Sequence, residues 1–344
     1  FIMLVSRKEI LSSVGGFRVK SKVENTIFSN LKFSVYGNKL SAYFLGFKFE
    51  DYVEFTHNEN FAEPVEFTVF YPDFINAVKA SKDLECIIEI QDDRILVDSI
   101  PVKKTRLESK YPDTFQTEKK ISEIYLSPEE YAEIQMMIFP HVSDDETRYF
   151  VMGICIEGTG TGLNFVATNG RTLAKKEKKI ESTEFSAIVP VQFLPKIKKF
   201  DGVYINLYTE KNTNQQICEF VFLDFSGKKQ FHRVKCIEGT FPNYRRVLPE
   251  FNDSFFEVET SKFLDVLKKI KPFVDKKTRR ILLVQDEKTV TIKTGDVEFS
   301  VECLKSNANF TCALNLEYLI MSLNSSDCIT NSSLRGKDES YYYQ

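Results

Sequence analysis

The sequence predicts an α+β protein built as three copies of one two-helix, antiparallel-sheet unit, and three observations carry that prediction. Most of the chain consists of short runs that alternate apolar and polar residues and end in Gly, Asn or Asp, the pattern of half-buried antiparallel strands. Only about six segments have helical periodicity, and they come in pairs. Two series of helix signals then recur with one spacing. Helices start at Ser6, Ser127 and Ser261, and an aromatic and aliphatic pair lies one turn into a helix at Phe74-Ile75, Phe193-Leu194 and Tyr318-Leu319. Neighbours within each series are 119 to 134 residues apart. Two interleaved series of similar period in 344 residues point to three units of ordinary domain size, 1–117, 118–246 and 247–344.

Taken in chain order, Phe1 to Val5 reads as a strand or an appended stretch, too short and too poorly flanked for a secretory leader. Ser6-Arg7-Lys8-Glu9 is a capping box opening the first helix. Lys32 to Val35 reads as a strand with a turn at Gly37-Asn38, and Phe74-Ile75 marks the second helix. Pro112-Asp113 with the polar stretch Gln116 to Lys120 suits a linker. Ser127-Pro128-Glu129-Glu130 is a second capping box, with proline at the first helical position. Asn164 to Thr168 and Cys218 to Phe225 read as strands, the latter turning at Ser226-Gly227. The segment Gly158-Thr159-Gly160-Thr161-Gly162 lacks a following Gly-Lys-Ser/Thr, so it reads as a hairpin turn rather than a phosphate loop. Pro249 to Asp253 suits a second linker, Thr260-Ser261 a third helix start, and Thr289 to Thr294 a strand turning at Gly295-Asp296.

Composition narrows the class. With 42% apolar and 28% charged residues, and no apolar run near the roughly 18 a membrane helix needs, the chain reads as an ordinary cytoplasmic globular protein without a membrane partner. Seven cysteines without a CxxC pair argue against a disulfide framework and a structural zinc site, so no metal or cofactor is expected. The net charge of −3 does not announce nucleic acid, but its distribution is uneven. Ser261 to Arg280 holds eight Lys and Arg against two Asp, and Lys175 to Lys179 and Lys196, Lys198 and Lys199 are also basic. Each run by itself reads as a solvated face.

Catalysis finds little support. His57, His141 and His232 stand in no ligand spacing and read as surface or strand residues. Asp144-Asp145-Glu146 could form an acidic centre, but adjacent side chains diverge, and a polar loop capping the next element is the better reading.

Two segments are more specific. Ala167-Thr168-Asn169-Gly170-Arg171-Thr172-Leu173-Ala174 resembles the Ala-Thr-Asp-Gly-His-Arg-Leu-Ala signature of the bacterial β sliding clamp family, the processivity subunit of the replicative DNA polymerase. Phe241-Pro242-Asn243-Tyr244-Arg245-Arg246-Val247-Leu248-Pro249 is similar to that family's Phe-Pro-Asp-Tyr-Arg-Arg-Val-Leu-Pro. Asp145-Glu146-Thr147-Arg148 and Leu314-Asn315-Leu316-Glu317-Tyr318-Leu319 add to the resemblance, which covers essentially the whole chain and is weakest in its first third.

The resemblance implies a non-catalytic, head-to-tail homodimer whose six domains close a ring around duplex DNA. Lys22, Lys79, Lys82, Lys196, Lys198, Lys199, Lys268, Lys269 and Lys271, with Tyr149 and Phe150, would face phosphates without reading sequence. Val151, Thr168, Gly170, Arg171, Thr172, Leu173, Pro242, Arg246, Val247, Asn315 and Tyr318 would line a groove for short peptides of DNA polymerase and the clamp loader. Leu173 and Val247 would supply its apolar floor and Arg246 a wall. Phe273 and Val274 match the family's dimer contact. The chain departs from the pattern at Arg171-Thr172, where the family has His-Arg, and at Tyr341-Tyr342-Tyr343-Gln344, which implies a groove partly missing or remade. The rival readings are a clamp-like paralogue without a working groove and a cytosolic α+β enzyme centred on Asp144, Asp145 and Glu146.

Overall fold

The computed structural model describes residues 1–17, 19, 26–107, 110–194, 199–248, 255–286, 288–306, 309–324, 331–337 and 340–343. The first stretch runs β1 (Ile2–Ser6), α1 (Arg7–Ser13), β2 (Asn30–Leu45), β3 (Phe49–Phe70), α2 (Tyr71–Ala80), β4 (Glu85–Ile90), β5 (Arg94–Val97) and β6 (Ile100–Lys103). Next come β7 (Thr117–Leu126), α3 (Pro128–Met137), β8 (Ile154–Thr159), β9 (Leu163–Thr168), β10 (Leu173–Lys178), β11 (Glu184–Val189), β12 (Gly202–Glu210), β13 (Gln216–Leu223) and β14 (Lys229–Lys235). The last stretch is β15 (Phe255–Glu259), α4 (Thr260–Ile270), β16 (Arg280–Gln285), β17 (Thr289–Thr294), β18 (Val297–Glu302), β19 (Lys305–Ser306), β20 (Phe310–Asn315), α5 (Leu316–Asn324), β21 (Asn331–Lys337) and β22 (Ser340–Tyr343). A strand leading straight into a helix thus recurs at β1-α1, β7-α3 and β15-α4, and again at β3-α2 and β20-α5.

By its internal contacts the chain divides into two compact units. One comprises Phe1–Ala132, Asp145–Phe165 and Glu177–Gly239; the other comprises Glu133–Asp144, Val166–Lys176 and Thr240–Gln344. The division passes through α3 and through β9 of the sheet β10-β9-β8-β11.

The first unit is dominated by a six-stranded antiparallel sheet in the order β2-β3-β14-β13-β12-β7. Strand alternation sorts its cross-strand rows by chemistry. One row, Phe44, Asp51, His232, Phe220, Ile205 and Ile124, is buried throughout. The two polar members of that row answer each other, His232 Nδ1 lying 2.8 Å from Asp51 Oδ1. On the opposite face runs Tyr43, Tyr52, Phe231, Val221, Tyr204 and Tyr125. Tyr125 lies across Gly202, where a Cβ would come within 2.6 Å of its hydroxyl, so the ring takes the place of a side chain there.

Beside the aromatic row lie Glu50, Arg233, Glu219 and Asn206. Arg233 donates to Glu219 at 2.6 Å and to Glu50 at 3.1 Å, and Asn206 donates to Glu219 at 3.1 Å. Burial pushes the Glu50 carboxyl up, against the Phe115 N–H and Arg233, which pull it down. A buried ion network of this kind is held only when its members are paired, as they are here. The connecting segment 111–116 covers this face: Tyr111 donates to the Tyr43 carbonyl at 3.4 Å, and the Phe115 N–H to Glu50 at 2.9 Å.

In the second unit, α4 places Phe263, Leu267 and Ile270 on one buried stripe and leaves Lys262, Lys268 and Lys269 outside, as 3.6-residue periodicity requires. That stripe packs with Phe256, Val258, Ile281, Leu283, Val290, Ile292, Leu316 and Leu323.

Several local expectations hold. The Ser127 box is reciprocal: its hydroxyl accepts from the Glu130 N–H at 3.2 Å and Glu130 accepts from the Ser127 N–H at 2.9 Å. The turns at Gly160, Ser226-Gly227 and Gly295-Asp296 also form, with positive φ at each glycine. Others need correction. Gly37-Asn38 is no turn: β2 runs on to Leu45, and Gly37 spends its positive φ of +59° on a bulge where the register to β3 slips. Residues 117–120 are not linker but the start of β7, paired with β12. Phe193-Leu194 closes a single 3-10 turn, Val191–Phe193. The rest of the helix expected there falls on residues 195–198, which lie outside those described, as do Pro249 to Asp253.

Candidate functional site

The Asn-Gly turn that ends β9 is built on side-chain bonds. Asn169 Oδ1 accepts from the Arg171 N–H at 2.9 Å, the Thr172 N–H at 2.8 Å and the Thr172 hydroxyl at 3.1 Å. Thr168 accepts from the Gly170 N–H at 3.1 Å and donates to the Thr172 carbonyl at 2.7 Å. Gly170 sits at φ +83°, a conformation a side chain would strain. On the other side of the Thr172 hydroxyl lies the Nδ1 of His141, 2.9 Å away, in a hydrogen bond whose direction follows the ring's tautomer. His141 was expected at the surface or on a strand. It is instead 3% exposed, in the 3-10 turn Phe139–His141, and burial lowers its imidazole to about 4, so it braces the turn as a neutral ring.

Arg171 reaches outward from this base. Its guanidinium is exposed and donates to the Tyr318 hydroxyl at 3.1 Å. Tyr318 stands on the first turn of α5, which Asn315 caps by accepting from the Glu317 N–H at 2.9 Å and the Tyr318 N–H at 3.3 Å. Glu317 is shared by Lys271 at 3.0 Å and Arg279 at 2.6 Å, and these cations hold its carboxyl below the usual range. Thr168, Gly170, Arg171, Thr172, Asn315 and Tyr318 are thus joined by one chain of hydrogen bonds. Leu173 opens β10 and is half-buried.

Pro242 is exposed, and Arg246 and Val247 lie on and just after the 3-10 turn Tyr244–Arg246. Tyr244 is buried beneath the Arg245 guanidinium, 4.7 Å from its ring centre, while Val247 is 60% exposed. Val151, by contrast, is buried at the close of the 3-10 turn Glu146–Val151. Asp145 caps that turn, accepting from the Thr147 N–H at 3.0 Å and from Arg148 at 2.9 Å. Among the described residues no group of three His, Cys, Asp or Glu is placed to hold a metal ion.

Of the basic candidates, Lys79 and Lys82 are exposed at and beyond the end of α2, and Lys199 is exposed before β12. Lys268 and Lys269 are exposed on α4, and Lys271 follows it with Glu317 as partner. Tyr149 is 54% exposed and Phe150 half-buried on their 3-10 turn. Lys22, Lys196 and Lys198 lie outside the described residues. Phe273 is 59% exposed and Val274 is buried.

Sequence reasoning passed over His141, Asn169, Arg279 and Glu317. Asn169-Gly170 carries a turn signal that could have singled out the asparagine; Arg279 lies in the basic run and Glu317 in the last resembling segment, but neither segment shows that the two pair across 38 residues, and nothing local marks His141.

No family model matches the chain. Among curated proteins it is 28% identical over 273 residues to the Beta sliding clamp of Treponema pallidum, covering 73% of this chain and 70% of that protein. Other curated clamps are matched over about half their length. Among solved structures it is similar to the DNA polymerase III subunit beta of Pseudomonas aeruginosa, with a TM-score of 0.81 at 18% identity over 100% of this chain and 96% of that one. It is also similar to the sliding clamp of Bartonella birtlesii bound to griselimycin, with a TM-score of 0.83 at 18% identity over 98% and 93%.

Proposed function

We propose, for a chain that belongs to the β sliding clamp family in sequence and in fold, that it works as a DNA sliding clamp, a processivity factor that encircles duplex DNA and tethers a replicative polymerase. The observation that carries this reading is the conjunction of identity to a curated clamp over most of both chains with the clamp fold along the whole chain. The role needs positioning rather than catalysis, and Asp145, the centre of the rival acidic cluster, is engaged as a cap.

Three domains, 1–117, 118–246 and 247–344, account for the recurrence of strand and helix, and two chains head to tail would close the ring, with Phe273 and Val274 at the contact. Lys79, Lys82, Lys199, Lys268, Lys269 and Lys271 would meet phosphates, a contact that is mobile because it reads no bases. Polymerase and clamp loader would dock short peptides on Leu173 and Val247, between the braced turn and α5. No cofactor enters this reading. Among the described residues no helix is long and apolar enough to cross a membrane, and the reading places the protein in the cytoplasm with the DNA.

The test is retention on nicked circular DNA after loading. Protein held on circles and released when they are linearised supports a topological ring. Equal loss from both forms overturns it.

A further inference from the structure

We propose that the cavity between the connecting segment 111–116 and the aromatic face of the six-stranded sheet binds an organic cation, an alkylammonium group held against rings by carboxylates. The site lies wholly within the first unit and is independent of the reading as a clamp.

Four observations lead there. The first is space: the cavity measures about 440 Å³, inside the range of about 300–1,000 Å³ usual for small-ligand sites. The second is a fixed roof. Tyr111 donates to the Tyr43 carbonyl, the Phe115 N–H to Glu50, and the Gln116 carbonyl accepts from the Lys211 N–H at 2.8 Å, so the segment is pinned along its length. The third is the wall. Tyr43, Tyr52 and Phe231 line it side by side, with ring centres 4.6 and 5.6 Å apart, and aromatic faces attract cations. The fourth is charge. The lining holds four carboxylates, Glu50, Asp51, Glu66 and Asp113, against the two cations Lys32 and Arg233. Both cations are already engaged, Lys32 by Glu66 at 3.0 Å and Arg233 by Glu50 and Glu219 together. Asp51 is answered by His232 in the core, while Asp113 is exposed and makes no hydrogen bond or ion pair among the described residues. Burial also raises the Glu50 carboxyl even with Arg233 beside it, so one more positive charge here would be stabilised. An anion would instead meet the unshared charge of Glu50 and Asp113. The same ammonium group is carried by free diamines and by lysine side chains, and the test separates them.

Calorimetry titrates the full chain with 1,6-diaminohexane, with hexane-1,6-diol as its neutral analogue, and with N-acetyl-lysine N-methylamide, all at one ionic strength. One of the two cations should bind at least about tenfold more tightly than the diol, and the tighter of them names the source. Asp113→Asn should weaken that binding about threefold, as for an exposed pair, and Glu50→Gln, which keeps an acceptor for the Phe115 N–H, should weaken it more. Glu63→Gln, an exposed carboxylate outside the cavity, should leave it unchanged. Dichroism confirms the fold of each variant, and the amides of 111–116 should exchange more slowly in the wild type once the cation is bound. Equal affinity for both cations and the diol overturns the choice of a cation. Binding that falls as much in Glu63→Gln as in Asp113→Asn, or that leaves exchange in 111–116 unchanged, overturns the place. No binding of either cation up to millimolar concentration overturns the site itself.

Discussion

His141 shows how one buried side chain ties the Asn169-Gly170 turn to pH. Burial lowers its folded-state value from 6.5 to about 4. Between those values the unfolded chain takes up a proton that the folded chain refuses, so the stabilisation is fully present above about pH 6.5 and is lost as pH falls toward 4. The shift corresponds to about 3 kcal/mol. The urea midpoint should therefore drop more steeply from pH 7.5 to pH 4.5 in the wild type than in His141→Gln, which keeps a hydrogen-bond partner for Thr172 but does not titrate. Parallel profiles would mean that the ring protonates in place. The turn itself was readable, because Asn169 and Gly170 act on their immediate neighbours. The brace was not: His141 meets Thr172 across 31 residues, and an isolated histidine carries no mark of its partner.

Elements were legible where their pattern is local. Helix α4 could be read from its stripe, and its stability should follow that stripe. Leu267 is fully buried, so Leu267→Ala should cost about 3 kcal/mol, whereas Lys268→Ala on the outer face should stay within about 0.5 kcal/mol. Urea unfolding measures both, and similar losses would mean that the helix face is misassigned. The Gly37-Asn38 turn failed as a prediction for a physical reason. A glycine at positive φ serves a bulge as well as a turn, and only pairing with β3, through partners such as Phe61 opposite Gly37, decides between them. The polar row Glu50, Arg233 and Glu219 was likewise invisible, because Glu50 and Arg233 meet across 183 residues.

At the scale of the molecule, the helix starts read at Ser6, Ser127 and Ser261 fall at the strand-into-helix junctions β1-α1, β7-α3 and β15-α4, and the division into three domains is the proposal built on that spacing. The proposed pairing of two chains predicts that wild type sediments near twice 39.8 kDa and that Phe273→Asp, which puts a charge on an exposed ring position, sediments as a monomer. A Phe273→Asp protein that stays dimeric at low micromolar concentration would move the contact elsewhere. The six-stranded sheet has a different consequence. On the proposed division at residues 117 and 118, β3 falls in the first domain and β14 in the second, yet they are paired in register from Phe49 opposite Val234 to Val53 opposite Gln230. Bending the chain at residues 117 and 118 would shear that backbone ladder, so the joint between these two proposed domains is a weld and not a hinge. The amides of 49–53 and 230–234 should accordingly exchange with solvent together and late, as one mechanical piece.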